Sequence, residues 1–441
     1  MRTDRQYTET EEEYRSAFRR DRDRITYAPE FRRLKDVTQI AHVGESYLYH
    51  DRLTHSLKVA QVGESIAELL RQEYAHQQIE RELDTQVVIA ACYAHDIGHP
   101  PFGHVAEREL NRLLQEEHTP NELGFEGNAQ TFRILTRLAN HREEGFGLNL
   151  TRATLNATIK YPWARSEKPN KDKWGYYKSE KEAFEFAREG SNRTEKQSLE
   201  AQIMEYADDV TYAVHDIDDF YRSGLIPLDR LLVEAEQNYR VDEETSNIEQ
   251  YLREEGKEEI ADNVRRVLND INSNYARDPL KCPYTNSEEQ RIAIAQFDSN
   301  LISDFINGSE GTEPPIIIDL TDDEFDLERD DNVEETIQVL KHITRYYVLS
   351  NPSLNAQRHG QRRIIRVVFN ALYEESGKPG ISAIPEPYRD RLQENLKVAT
   401  ETQNARVVAD MITSMTEKQV SAMYKRLQGH SPGSLVDEIV R

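Results

Sequence analysis

The chain has 441 residues, 37% hydrophobic and 31% charged, which describes a globular protein with material for more than one ordinary domain, or for one large helical domain with appended parts. Its net charge of -24 excludes a protein whose main work is wrapping nucleic acid, which needs a basic surface, but not a small anionic ligand held by a metal and a few placed cations. No run of about 18 apolar residues could span a bilayer, the charged first thirty residues hold no secretory leader, and Cys92 and Cys282 are too few for a disulfide framework, so a cytoplasmic setting is expected.

Residues 1–34 are Arg-rich and end in Phe31-Arg32-Arg33-Leu34; they are expected to form a helical arm packed on the body. From Thr54, a residue able to cap, the sequence reads as a helix whose apolar face runs through Leu57, Val59, Ala60, Val62, Ile66, Ala67, Leu69 and Leu70. A second helix over 84–95 is apolar through Val87-Val88-Ile89-Ala90-Ala91 and is expected to be buried, delivering His95 and Asp96 to an interior edge. Helices are further expected at 103–117, 126–142, 150–159 and 196–223. Lys168 to Lys181 is polar around Trp174-Gly175-Tyr176-Tyr177 and reads as charged surface in preference to a loop over a site.

Two acidic stretches stand apart. Residues 241–262 suit a solvated helix, whereas 308–335, with Glu313-Pro314-Pro315 and Asp322-Asp323-Glu324, suits a loop or insertion in which Ile316-Ile317-Ile318 is one short strand. Helices are expected at 333–348, 360–376, 386–402 and 404–427. Strand signals are scarce, so the fold class is mainly α. The division expected is an arm over 1–34, a core over 35–224 and a C-terminal helical region over 225–441 packed on it.

The chemistry concentrates in Ala94-His95-Asp96-Ile97-Gly98-His99-Pro100-Pro101-Phe102-Gly103-His104. Three histidines and an aspartate within ten residues serve no packing need, and an adjacent His-Asp pair offers an imidazole nitrogen and a carboxylate oxygen to one divalent metal. Arg52 and His55 lie one turn apart at the start of the first buried helix, although a histidine there is more often a cap or surface residue than a ligand. Asp208, Tyr212 and Asp216 follow an i, i+4, i+8 pattern and line one helix face, with acids on a solvated face as the plain alternative. Together His55, His95, Asp96 and an aspartate of the third helix make a His-His-Asp-Asp set that leaves coordination positions open. His104 and Glu107, three apart, can touch; outside this context they read as a surface pair.

These motifs resemble the HD-domain metal-dependent phosphohydrolases, and within them the dGTP triphosphohydrolase branch. The resemblance is carried by His95 to His104, Arg52-Leu53-Thr54-His55-Ser56 and Tyr206-Ala207-Asp208-Asp209-Val210-Thr211-Tyr212. Phe125-Glu126-Gly127-Asn128-Ala129-Gln130, Leu155 to Trp163 and Arg406 to Ile412 add to it, so that it runs from about residue 27 to 427. It implies an HD helical core with His55, His95, Asp96 and Asp208 as metal ligands, Asp209 facing elsewhere, and His104 with Glu107 in acid–base work. It also implies sugar contacts from Gln39, Tyr212 and Asp216, and phosphate contacts from Arg52, His99, Lys160, Tyr161 and Lys173. Arg406 is left between a contact to a base or neighbouring subunit and a helix-surface role.

The implied reaction is hydrolysis of a deoxynucleoside triphosphate, dGTP or a broader set, to deoxynucleoside and inorganic triphosphate. The cofactor expected is a divalent ion, Mn2+ or Mg2+ ahead of Fe, Ni, Co or Zn. A homo-oligomer, tetramer or hexamer, is implied, with a nucleotide effector or single-stranded DNA as further partners and no membrane. The alternatives are an HD phosphohydrolase of a cyclic, signalling or monophosphate nucleotide, and a non-catalytic oligomer that binds nucleotides or single-stranded DNA.

Overall fold

Helices make up nearly all the regular structure. The computed structural model describes residues 1–8, 14–39, 50–117, 124–140, 147–190, 195–232, 239–309, 314–321, 324–378, 384–385, 388–390, 392 and 401–431. In chain order the amino-terminal helices are α1 (Ala17–Tyr27), α2 (Pro29–Arg33), α3 (Arg52–Glu73), α4 (Thr85–Ala94), α5 (His104–Arg112), α6 (Gly127–Arg133), α7 (Arg152–Ala157), α8 (Lys181–Arg188) and α9 (Leu199–Arg222). They are followed by α10 (Leu228–Leu231), α11 (Tyr239–Glu254), α12 (Glu258–Asn274) and α13 (Glu288–Asn307), the strands β1 (Ile316–Thr321) and β2 (Glu324–Arg329), then α14 (Asp331–Ser350), α15 (Pro352–Ser376), α16 (Glu401–Ser414) and α17 (Glu417–Leu427).

Helix α4 is the innermost element. Every residue from Thr85 to Ala94 except Gln86 and Tyr93 is buried, because α3 and α9 cover one side while α1 and α7 cover the other. Each large apolar side chain so buried contributes about 1.5–3 kcal/mol. The three central helices approach closely at Gly63 of α3, where an added Cβ would stand 2.8 Å from Cys92 Sγ, 3.2 Å from Val88 and 3.6 Å from Ala207. A side chain there would push α3 away from α4, while its approach to Ala207 of α9 is an ordinary contact.

Several expectations change at the level of local structure. Helix α3 begins two residues before Thr54: the Asp51 carboxylate accepts from Thr54 N at 2.7 Å and is the cap. An aspartate is the better partner for exposed amides at a helix start. The 241–262 stretch is helical, as expected, but the α11–α12 pair buries an apolar stripe through Ile248, Leu252, Ala261 and Val264. The 308–335 stretch is not a loop over its described residues. β1 pairs antiparallel with β2, from Ile316 opposite Arg329 to Thr321 opposite Glu324, with Ile316 and Ile318 buried and Ile317 exposed, the period-two pattern of a half-covered strand.

The polar Lys168 to Lys181 segment buries Trp174, Tyr176 and Tyr177. It is a packed loop over the site, and reading it as charged surface undervalued those three rings. Residues 404–427 form two helices instead of one, divided where Thr416 opens a reciprocal capping box with Gln419. The helix expected at 386–402 falls mostly outside the described residues.

The C-terminal helices pack on the start of the core. Phe102, Ala106, Leu110 and Leu114 form one apolar cluster with Val368 and Phe369 of α15 and Val408 and Ile412 of α16. Polar ties reinforce it: Arg133 of α6 donates to Asp410 of α16 at 2.7 Å and to Glu180 at 2.6 Å, all three buried. Burial opposes ionisation of Asp410, but the adjoining Arg133 guanidinium and its hydrogen bonds, then Arg406 and Gln130, hold its carboxyl below the usual range.

An Asp410→Asn variant is therefore expected to lose about 1–3 kcal/mol at pH 7, because Arg133 keeps only Glu180 as its carboxylate partner. Because the folded carboxyl titrates below its unfolded value of about 3.9, this stability is present above that value and disappears as pH falls through the folded one. Unfolding midpoints should thus differ most near pH 7 and converge on acidification; a gap that does not change with pH contradicts the ion-pair account.

Candidate metal centre and active site

The centre is assembled where three buried helices meet. His55 lies in the first turn of α3, His95 and Asp96 directly follow α4, and Asp208 lies midway along α9. His55 Nε2 is 3.0 Å from Asp208 Oδ1, His95 Nε2 is 3.6 Å from the same oxygen, and the two rings stand 5.6 Å apart. One ligand atom from each of His55, His95 and Asp208 lies within 4.8 Å of the others.

The protonation pattern suits a cation. His95 Nδ1 lies 2.7 Å from the carbonyl of Cys92; a carbonyl only accepts, so Nδ1 carries the proton and Nε2 presents a lone pair. That Nε2 is buried without a hydrogen-bond partner, an arrangement that costs free energy unless an electron acceptor is met there. Two imidazoles and a carboxylate form a donor set for a borderline or hard divalent ion. The fit is good on this observation alone.

Asp96 stands slightly apart from the triad. Its Oδ2 is 3.6 Å from His95 Nε2 but receives Arg52 Nη1 at 2.5 Å, and its Oδ1 lies 3.1 Å from His99 Nδ1. Burial opposes its ionisation, yet Arg52 and the surrounding imidazoles hold it well below the usual carboxylate range. Asp208 behaves alike: burial raises its carboxyl, and Lys160 at 3.4 Å, His95 and His55 more than reverse the effect. Asp209, next in sequence, faces away to Lys341 at 2.6 Å and Arg329 at 3.4 Å.

The turn after α4 is held by groups that sequence reading did not single out. Thr131 Oγ1 of α6 accepts from Gly98 N at 2.9 Å and donates to the His95 carbonyl at 3.1 Å. Gly98 permits this contact, since a Cβ there would fall 2.2 Å from the Gly127 carbonyl. Arg33 donates to the carbonyls of Ile97 and His99 at 2.9 and 2.7 Å. Glu417 of α17 accepts from Phe102 N at 3.1 Å and Thr38 N at 2.7 Å, which fixes a Phe102 held at φ 68, a conformation costly for a bulky residue.

Beside the centre, His104 opens α5 with its Nδ1 2.6 Å from Glu107 Oε2. The imidazole is 61% exposed, whereas Glu107 is buried. Glu107 Oε1 accepts from Gly127 N at 3.1 Å and from Lys173 Nζ at 2.9 Å. Burial would raise this carboxyl; the His104 hydrogen bond and the neighbouring Lys173 ammonium hold it well below its ordinary value. His99 joins the two groups, its ring 5.1 Å from that of His104 in an edge-on contact, and burial with the adjacent Arg52 keeps it neutral.

A cavity of about 310 Å3 opens next to His104. Gln39, Phe102 and Tyr212 line its inner side, and Arg345, Gln357, Arg358 and Gln361 of α14 and α15 line the outer. Gln39 Oε1 is buried there without a partner. The outer wall was not foreseen, since an arginine or glutamine on an amphipathic helix carries no mark that separates a cavity wall from solvent.

Other expected residues are placed as follows. Asp216 is buried one turn beyond Tyr212 and does not line the cavity; burial, then Asp219 and Asp208, push its carboxyl well above the usual range. Arg52 and Lys160 are engaged by Asp96 and Asp208, and Tyr161 packs at 5.6 Å against Trp163. Arg406 is not a helix-surface residue: it is buried, with its guanidinium 3.8 Å above the Tyr177 ring.

Two family models match the chain. The HD domain family matches residues 52–213, and the phosphohydrolase-associated domain family matches residues 327–426. A Streptomyces coelicolor protein named deoxyguanosinetriphosphate triphosphohydrolase-like is 33% identical over 430 residues, covering 94% of this chain and 93% of that protein. Proteins of the same name from Corynebacterium glutamicum and Shewanella loihica are 32% and 29% identical, over 93% and 96% of this chain and 90% and 95% of their own lengths. At one-third identity over nearly its whole length, the chain belongs to the deoxyguanosinetriphosphate triphosphohydrolase-like family, which is built on the HD phosphohydrolase domain.

Proposed function

We propose that the protein hydrolyses a deoxynucleoside triphosphate, dGTP or a broader set, to the deoxynucleoside and inorganic triphosphate, using a divalent cation held by His55, His95, Asp96 and Asp208. The observation that carries this reading is the unpartnered His95 Nε2 facing Asp208, linked through Asp96 and His99 to a His104–Glu107 pair at the mouth of a cavity. A cation in that position supplies charge stabilisation to a phosphoryl group. Mn2+ or Mg2+ suits the mixed nitrogen and oxygen donors, and a homo-oligomer is taken as the working form.

Water adds to the α-phosphorus, and the bond from that phosphorus to the 5′-oxygen breaks. One proton must leave the water and one must reach the 5′-oxygen. His104, open to the cavity and oriented by Glu107 at 2.6 Å, carries that proton. Arg52 and Lys160 supply positive charge, and the neutral His99 and Tyr161 hydrogen bonds, for the triphosphate, which favours a ligand whose charge exceeds that of the carboxylates the two cations already meet. Gln39 Oε1, lacking a partner, accepts from the sugar 3′-hydroxyl. Tyr212 flanks the ring where a 2′-hydroxyl would sit.

The reaction is tested by resolving the products. With Mn2+ and dGTP, triphosphate and deoxyguanosine should appear in equal amounts; release of pyrophosphate or monophosphate rejects the reading. Replacing His104 by Ala should lower kcat by about 10²–10⁴-fold while leaving bound metal unchanged, and undiminished turnover would remove its proton role. For sugar selection, kcat/KM for GTP should be about 100-fold below that for dGTP, and Tyr212→Ala should narrow the ratio. Equal use of both sugars by the unaltered protein contradicts the roles given to Gln39 and Tyr212.

A further inference from the structure

Lys173, which the family resemblance gives a phosphate contact, also sits between two buried carboxylates. Its Nζ is 2.9 Å from Glu107 Oε1 and 3.1 Å from Glu126 Oε1. Glu126 is 1% exposed and caps α6, its Oε2 accepting from the amides of Asn128 and Ala129 at 2.6 and 2.9 Å. The segment bearing Lys173 is fixed on both sides. Trp163 Nε1 donates to the Lys173 carbonyl at 2.8 Å, and Gly175 packs so tightly that a Cβ would reach within 2.0 Å of the Tyr161 carbonyl. Tyr177 donates its hydroxyl proton to the Glu126 carbonyl at 3.2 Å, beneath the Arg406 guanidinium.

We propose that Glu126 is a positioning residue: it anchors Lys173 so that the ammonium compensates Glu107 and keeps that carboxylate ionised and oriented under His104. Glu107 spends Oε2 on His104 and Oε1 on Gly127 N and Lys173, so its plane is set from three directions. His99, His104 and Glu107 also meet the spacing of a metal triad, but the cationic place beside Glu107 is filled by the protein's own lysine.

One ammonium lies between two buried carboxylates. His99, His104, Lys173 and Glu126 face Glu107, whereas Glu107, Lys173, Tyr161 and the Tyr177 hydroxyl face Glu126. Without the ammonium, two buried carboxylates share one space, and like charges so close cannot both ionise at neutral pH. One then takes up a proton, and whenever Glu107 does so His104 loses its orienting anion.

This role rests on the reading of His104 as proton carrier, and the test separates the two. The metal-loaded full chain is compared as unaltered protein, Lys173→Met and the Glu126→Gln/Lys173→Met pair, by dGTP hydrolysis and thermal unfolding across pH 5.5–8. In Lys173→Met the acidic limb of kcat should move up by about one pH unit with KM changed less than about threefold; adding Glu126→Gln should return the limb towards its original place. In unfolding, burial already holds the Glu126 carboxyl above its ordinary value in the unaltered protein, and Lys173→Met raises a folded carboxyl pKa further. Stability linked to it is present below the unfolded pKa and lost as pH rises through the folded one, so the deficit in Tm should widen towards pH 8 and stop widening in the double variant.

A rise in KM without movement of the limb, unrelieved by Glu126→Gln, would assign Lys173 to the triphosphate and overturn the inference. A Tm deficit that does not vary with pH overturns it equally. If the unaltered protein releases no triphosphate, the proposed function fails while the unfolding comparison still decides the role of Glu126.

Discussion

The structure depends on the burial of one short apolar helix. Thr85–Ala94 has covered neighbours on nearly every side, so α3 and α9 must lie directly against it, and Gly63 lets them do so without displacement. Once that packing is set, the end of α4, the first turn of α3 and the middle of α9 arrive at one place. The helix end also solves a local problem: its last carbonyls lack intrahelical partners, and Cys92 O finds one in the His95 ring. The same hydrogen bond turns the other ring nitrogen inward as an acceptor. Packing, helix termination and metal chemistry are thus linked through a single imidazole.

The C-terminal helices complete this arrangement. Their apolar faces enclose α5, the helix that presents His104 and Glu107, and their polar residues reach the turn before it. Glu417 holds the amides of Thr38 and Phe102, Arg133 ties α6 to Asp410, and Arg406 lies over Tyr177. Residues of α14 and α15 form the outer cavity wall. The HD region carries the His55, His95 and Asp208 cluster, and helices of the phosphohydrolase-associated region line the cavity beside His104.

Much of this was legible in the sequence because it rests on local periodicity. The helix of unbroken apolar residues before His95, and the i, i+4, i+8 row of Asp208, Tyr212 and Asp216, follow from helical geometry alone. What escaped depended on partners remote in sequence. Asp51 and Thr54 are both competent caps, and only the backbone path chose between them. Lys173 lies among several lysines of a polar loop, and nothing nearby reveals that Glu107 and Glu126 converge on it from 66 and 47 residues away. The acidic 308–335 stretch concealed alternating Ile316 and Ile318, because charge composition outweighed a period-two signal of only a few residues.

Equilibrium metal binding tests the account at its root. The unaltered protein should retain one divalent ion per chain after desalting, and His95→Ala and Asp208→Ala should each lose it while keeping helical content and a cooperative unfolding transition. Full retention of the ion by folded His95→Ala protein would contradict the account, since the buried nitrogen that organises the centre would then have no ligand role.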